Sequence, residues 1–326
     1  MLDRSGLREA IVEVLPLTGG VSSDIVRVVL ADGSSVCAKR ALPRLKVASV
    51  WEAPLERNHF EAAWLRLAGG IVPGLAPKVL DEDQAHGVAL LEFLPPDDFL
   101  LWKADLLRGR FDPRIAPAVA SALARIHAAT WDNAEVATAF ATDDMFDALR
   151  LSPYLRTLAE RTPDLSVQIL AVVERTAATR MALVHGDVSP KNILVSRRDA
   201  HPVLLDAECA WYGDPAFDAA FCMNHLLLKA VHVPIIREQL LGAAMDFFQV
   251  WSGGLPASRG DIEARVAALL PCLMLARVDG KSPVEYLGEP GKAIVRAAAR
   301  PLIANSPASI DDLVAGIRRS LSNQRV

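Results

Sequence analysis

Basic blocks, cysteine clusters and long apolar runs are all missing from this chain. No Lys/Arg-rich stretch occurs, and the formal net charge is -4. A phosphate backbone demands a basic surface, so nucleic acid is not the expected partner. The four cysteines, Cys37, Cys209, Cys222 and Cys272, are widely spaced and form no CxxC. That excludes a disulfide scaffold or a cysteine-built zinc site and predicts reduced, mostly buried thiols. The longest uncharged apolar run, Val266 to Ala276, has 11 residues and is interrupted by Pro271. A membrane-spanning helix needs roughly 20, so no membrane segment is expected. Residues Met1 to Val14 lack a long apolar core behind a basic start. No signal peptide is therefore expected, and the expected location is the cytoplasm. There is no internal repeat and no low-complexity tract. What is present in quantity is apolar surface: 52% hydrophobic residues favour a packed core over disorder.

The first part of the chain reads as strands. Ile25 to Leu30 is β-branched, Asp32-Gly33 is a turn signal, and Ser35 to Lys39 returns as the second arm of a hairpin. From Asn58 to Ala68 the apolar residues Phe60, Ala63, Trp64, Leu67 and Ala68 fall at helical spacing, and Gly69-Gly70 is the expected stop. Val88 to Leu94 reads as a buried strand ended by Pro95-Pro96. Beyond it the texture turns helical, with Ile115 to Ala129 and Ser166 to Ala178 as clear cases. Ile193-Leu194-Val195 and Val203-Leu204-Leu205 form a small hairpin. Everything after Ala216 is expected to be helical, with breaks at Pro234, Gly253-Gly254, Pro271 and Pro283. The expected fold class is α+β, a β-rich lobe of residues 1–95 followed by a mainly α lobe of residues 96–326, joined at Pro95-Pro96-Asp97-Asp98.

The strongest chemical signal is His185-Gly186-Asp187-Val188-Ser189-Pro190-Lys191-Asn192, followed by the apolar Ile193-Leu194-Val195. Fourteen residues after Asn192, Asp206 ends the next strand. Phosphoryl transfer needs this set of groups. One carboxylate must orient the attacking hydroxyl and accept its proton. Hard oxygen ligands must hold Mg²⁺ against the phosphates. An Asp, an Asn amide oxygen and a second Asp on adjacent loops supply both functions.

This stretch resembles the catalytic and metal-binding loops of the aminoglycoside phosphotransferase and choline kinase group, whose fold is protein-kinase-like and bilobal. The likeness rests on HGDxxxxN, the strand-end Asp, then Gly213-Asp214-Pro215 and Phe217-Asp218. It implies an ATP- and Mg²⁺-dependent transfer of the γ-phosphate to a hydroxyl of a small-molecule acceptor. It implies Asp187 as the catalytic base and Asn192 and Asp206 as the Mg²⁺ ligands. His185 would brace the loop, Asp218 would hold the loop backbone, and Glu208 would approach the metal's outer shell.

The N-terminal part supplies a second set. Leu17 to Asp24, with Gly19, Gly20 and Ser22, precedes the first arm of the hairpin, and small residues let backbone N–H groups approach phosphate oxygens. Lys39 ends the second arm and can reach the α- and β-phosphates as a point charge. Glu61 on the following helix would hold Lys39 in place, with Glu56 as the alternative partner. Leu90 to Leu94 resembles the adenine-binding hinge of the same group. The Glu92 carbonyl and the Leu94 N–H would read the base, and Leu91 would line the pocket behind it. His127, among apolar helical neighbours, is read as a structural histidine, and the irregularly spaced tryptophans as core. Only 11 residues separate Asp206 from Asp218, too few for a protein kinase's activation loop and peptide platform. A non-catalytic nucleotide-binding scaffold would be expected to lack Lys39, Asp187, Asn192 or Asp206, and all four are present. From Glu208 onward there are twelve acidic and twelve basic residues. A polycation calls for focused carboxylates, so the expected acceptor is neutral, zwitterionic or singly charged. The Arg277 to Lys281 cluster is a candidate contact for it, and the oligomeric state is left open.

Overall fold

The computed structural model describes residues 10–17, 22–44 and 54–322. Five antiparallel strands form the N-terminal sheet: β1 (Ile11–Pro16), β2 (Ser23–Leu30), β3 (Ser35–Ala41), β4 (Val79–Asp83) and β5 (Val88–Glu92), in the order β1-β2-β3-β5-β4. The β2–β3 hairpin turns where expected. Gly33 adopts φ +83°, and the Asp32 carboxylate accepts from the Ser34 N–H and hydroxyl at 2.9 and 2.6 Å. Val28 faces Val36 across the ladder, and with Leu30 and Leu90 they form a small outer core. Cys37 and Leu91, which face each other across β3 and β5, pack instead against the main core. β5 ends at Glu92, so Phe93 and Leu94 lie outside the strand, short of the expected Leu94.

Helix α1 (Arg57–Ile71) underlies the sheet through Trp64, Leu65 and Ala68. It runs through Gly69-Gly70, contrary to expectation. Each glycine costs about 1 kcal/mol in a helix, which the buried face of α1 overcomes. The helix ends where Pro73 forces Val72 out of the helical region, to φ -127° and ψ 93°.

After residues 93–98 the chain forms β6 (Phe99–Leu101), then α2 (Trp102–Leu107), α3 (Ile115–Ala129), α4 (Ala134–Ala139) and α5 (Asp143–Phe146). A π-helical stretch, Asp147–Arg156, continues into α6 (Thr157–Arg161), and α7 (Ser166–Ala178) follows. Four short strands then frame the chemistry: β7 (Ala182–Val184), β8 (Ile193–Ser196), β9 (Pro202–Leu204) and β10 (Trp211–Gly213). β6 and β9 flank β8, and β7 pairs with β10. The remaining helices are α8 (Ala216–His232), α9 (Arg237–Gly253), α10 (Arg259–Asp279), α11 (Glu289–Ala304) and α12 (Ile310–Ser322). Every residue of α8 from Ala216 to Val231 is buried, between α9 on one side and α10 on the other. α10 crosses Pro271 without a break, because the residues from Val266 to Ala276 are almost all buried and their packing outweighs the roughly 3 kcal/mol that a helical proline costs. The architecture is the bilobal protein-kinase-like one. Among the described residues no single helix is long and apolar enough to cross a membrane; the one pair that qualifies jointly, α8 with α9, is bent by 118°.

One buried arginine ties the lobes together. Arg57, fully buried at the start of α1, donates from Nε to the Glu208 carboxylate at 3.1 Å. Its Nη2 donates to the carbonyls of Ser22 and Leu42, both at 2.6 Å, and its Nη1 to that of Pro54 at 2.7 Å. Glu208 thus holds Arg57 through Oε2. Arg57→Met would strand the buried Glu208 charge. We expect it to lower the unfolding free energy by about 3–5 kcal/mol, read as a lower urea midpoint.

Candidate active site

The loop after β7 is held by one carboxylate. Asp218, in the first turn of α8 and fully buried, accepts from the His185 and Gly186 backbone N–H groups, each at 2.8 Å. His127 Nε2 approaches the same carboxylate at 3.2 Å, and Trp251 Nε1 donates to His127 Nδ1 at 2.9 Å. An indole N–H only donates, so Nδ1 is the acceptor and Nε2 carries the hydrogen toward Asp218. His127 is a structural histidine, as expected, and it supports the loop. Gly186 has φ +76°, and a Cβ there would stand 2.6 Å from the Cys209 carbonyl oxygen. No other residue fits that position.

Asp187 is 3% exposed. Its N–H donates to His185 Nδ1 at 3.1 Å, so His185 does brace the loop, with its ring edge-on to Trp64 at 4.6 Å. Burial holds the His185 pKa below the usual value, against the pull of Asp218. Two cations clamp the same oxygen of Asp187: Oδ2 lies 2.9 Å from Arg150 Nη2 and 3.0 Å from Lys191 Nζ. Asn192 Nδ2 donates to the Asp187 carbonyl at 3.1 Å, which turns the amide oxygen the other way. The Leu205 N–H donates to the Asn192 carbonyl at 2.8 Å and brings the end of β9 to this loop. Asp206 follows, with φ +67°. A non-glycine residue is rarely held there, and such strain clusters at functional sites.

Across the cleft, Lys39 Nζ contacts both Asp206 Oδ1 and the Glu61 carboxylate, the latter at 2.8 Å. Glu61, not the exposed Glu56, is the partner on the helix side. Burial opposes charge on Lys39, but Asp206 and Glu61 outweigh it and raise its pKa. Burial likewise opposes charge on Asp206, and Lys39 with Lys191 outweighs it, so Asp206 lies below the usual carboxylate range. One ammonium cannot fully compensate two buried carboxylates. Burial pushes Glu61 up to about 7 against the attraction of Lys39.

Lys39, Glu61, Asp187, Asn192 and Asp206 are thus brought into one cleft. Leu91 is buried on β5. Glu92 uses its backbone N–H and a carboxylate oxygen on Lys78, which keeps its side chain out of base reading. Leu94 lies in the following loop. Ser22 is buried, and its carbonyl is pinned by Arg57. Gly19 and Gly20 lie outside the described residues. Sequence reasoning missed Arg150 and Arg57. The only trace of Arg150 is a charged residue between two buried leucines, Leu149 and Leu151, on the π-helical stretch.

The comparison with known proteins agrees with this geometry. The sequence matches the phosphotransferase enzyme family over residues 13–249. The chain belongs to that family. Among the curated relatives of this chain, methylthioribose kinase of Yersinia enterocolitica is 29% identical over 227 residues, 62% of this chain and 56% of the relative. Methylthioribose kinase 1 of Oryza sativa is 25% identical over 240 residues, 64% of this chain and 55% of the relative. The chain therefore spans just over half the length of the curated relatives it matches. Among solved structures, amicoumacin kinase in complex with AMP-PNP and Ca²⁺ superimposes with a TM-score of 0.53 at 14% identity, covering 94% of this chain and 93% of the other. A macrolide 2'-phosphotransferase of Brachybacterium faecium gives 0.51 at 17% identity, covering 97% and 95%. These likenesses concern the fold.

Asp218→Asn keeps the volume but removes the charge that both loop N–H groups share. Charge-assisted hydrogen bonds contribute about 1.5–3 kcal/mol. We expect a loss of that size in chemical denaturation.

Proposed function

We propose that this chain transfers the γ-phosphoryl group of ATP, with Mg²⁺, to a hydroxyl of a small-molecule acceptor. The observation that carries the reading is the meeting of Lys39 and Asp206 across the cleft, beside a loop that presents Asp187 and Asn192. Asp187 would orient the acceptor hydroxyl and take its proton. Arg150 and Lys191 both hold Oδ2, which leaves Oδ1 as the basic edge. Lys39 would engage the α- and β-phosphates, held from behind by Glu61. Gly19, Gly20 and Ser22 would approach the phosphates. Leu91 and the backbone of Glu92 and Leu94 would receive adenine.

The donor set suits a nucleotide-bound metal. Mg²⁺ takes hard oxygen ligands, usually one or two from the protein with the remainder from phosphates and water. Asn192 offers an amide oxygen that its own hydrogen bond leaves free, and Asp206 offers a carboxylate pulled toward ionisation by Lys39. Among the described residues no cluster of three or more His, Cys, Asp or Glu side chains could cage a metal without a nucleotide. The ion, when bound, would neutralise charge developing on the transferred phosphoryl group.

Residues 207–217 are all buried. No exposed loop between Asp206 and Asp218 is available as a peptide platform, which supports a small acceptor over a protein substrate. The curated relatives named for methylthioribose support a hydroxylated metabolite. Use of ATP, together with four free cysteines, fits a cytoplasmic setting.

Lys39→Ala and Asp206→Ala should each abolish most of the Mg-ATP-dependent rise in thermal stability. Unchanged Mg-ATP affinity of both variants by calorimetry would remove the site. Asp187→Asn should keep Mg-ATP binding while kcat falls by about 10²–10⁴, the span of a lost general base. Near wild-type turnover would exclude Asp187 from that role.

A further inference from the structure

The helical lobe holds a second group of cations that phosphoryl transfer does not use. Phe221, His225 and Lys229 recur every fourth residue and share one face of α8, spanning about 12 Å at the helical rise. The stripe starts beside the catalytic loop: the Phe221 ring centre lies 5.6 Å from the guanidinium carbon of Arg150, which holds Asp187. It ends at Lys229, which is 1% exposed. Among the described residues no carboxylate reaches its ammonium within ion-pair distance. Its hydrogen bond goes to the His225 carbonyl of its own helix, at a long 3.4 Å. An ammonium has three donors, so two are unused. The end of α8 offers a favourable dipole, but that effect is small beside the desolvation of a buried charge.

The neighbours of Lys229 add to the imbalance. Its Nζ lies 5.1 Å from the Tyr286 ring centre, and the Tyr286 hydroxyl is buried without a partner. Arg277 binds the Tyr154 hydroxyl and Ser282 through Nη1, yet its Nε is buried without a partner. Glu285, the nearby acid, is engaged by Lys103 and is largely exposed. Burial, with Lys103 and Arg277 alongside, pulls Lys229 down to about 7. Donor groups on α8, α10 and the segment after α10 thus lie in one charged neighbourhood, and among the described residues its nearby acid, Glu285, attracts Lys229 and Arg277 but pairs directly with Lys103.

We infer that the acceptor is an anionic hydroxyl compound, its carboxylate or phosphate received by Lys229, Arg277 Nε and the Tyr286 hydroxyl while its hydroxyl lies at Asp187. This rests on the phosphotransfer reading for the position of the hydroxyl, and it narrows the neutral, zwitterionic or singly charged acceptor expected from composition to an anion. The length of the stripe calls for several bonds between hydroxyl and anion.

The test uses the full chain saturated with Mg-AMP-PNP, so that the nucleotide's phosphate sites are filled. Glycerate and inorganic phosphate are titrated in thermal-shift and calorimetric measurements, with sodium chloride at equal ionic strength as control. At least one probe should stabilise the protein beyond the salt control, and which one does so distinguishes a carboxylate from a phosphate site. Lys229→Gln should weaken that binding about tenfold or more. Tyr286→Phe, which deletes one oxygen, should weaken it several-fold, and Mg-AMP-PNP binding should be unchanged in both. No stabilisation of wild type by either probe, or equal binding by both variants, overturns the inference. A kinetic arm compares matched neutral and anionic hydroxyl compounds. The highest kcat/KM on a neutral or cationic member also overturns it. Failure of Mg-ATP to bind the wild type would instead defeat the phosphotransfer reading, and the probe titration, repeated without nucleotide in Lys39→Ala, would still decide the anion site.

Discussion

A single buried carboxylate, Asp218, organises the site. It stands at the start of the most deeply buried helix of the lobe, where burying an unpartnered charge would cost several kcal/mol. Two backbone N–H groups of the catalytic loop and the His127 ring satisfy it. The same three bonds place the loop. Once His185 and Gly186 are fixed to α8, the backbone of Asp187 is fixed beside them, and Arg150 and Lys191 orient its carboxylate. His127 carries the restraint on to Trp251, so α3, α8 and α9 all bear on the position of Asp187.

The cleft is held from the other side by two basic residues with different partners. Lys39 meets Asp206 and Glu61, and Arg57 meets Glu208. Asp206 and Glu208 are two residues apart on one chain segment, so both inter-lobe ties converge on it. Lys39 sits where phosphates would be received; Arg57 directs its donors to backbone carbonyls and to Glu208. In the proposed reading the first tie would serve chemistry and the second architecture, although in sequence both are basic residues close to a strand or helix end.

The sequence discloses those parts of the site that are local. Asp187 and Asn192 lie five residues apart on one loop and Asp206 ends the next strand of a hairpin, so their spacing brings them to notice, and Lys39, after a readable turn, gains its meaning only beside them. Helix ends were less legible. Gly69-Gly70 and Pro271 carry local penalties of a few kcal/mol at most, and burial of the surrounding faces overrides them, which no local pattern reports. Arg57 and Arg150 were invisible because their carboxylate partners, Glu208 and Asp187, lie far along the chain, 151 residues away in the case of Arg57. Charge counted along the chain does not report where the charges fall in space. Acids beyond Glu208 are drawn into pairs elsewhere, Asp214 with Arg265, Asp279 with Arg296 and Glu238 with Arg318. A segment neutral in total can therefore leave Lys229 buried with no carboxylate in ion-pair distance among the described residues.

The outer core of the N-terminal sheet consists of four buried residues, Val28, Leu30, Val36 and Leu90. So small a cluster cannot offset the conformational entropy of ordering five strands. The other face of the sheet borrows its burial from the main core, and Arg57 locks α1 to the helical lobe. The two lobes should consequently melt in one cooperative transition, with no population in which the sheet persists after the helices have come apart. A cleft that looks like a boundary between independent parts is, in thermodynamic terms, an interior seam of one folding unit.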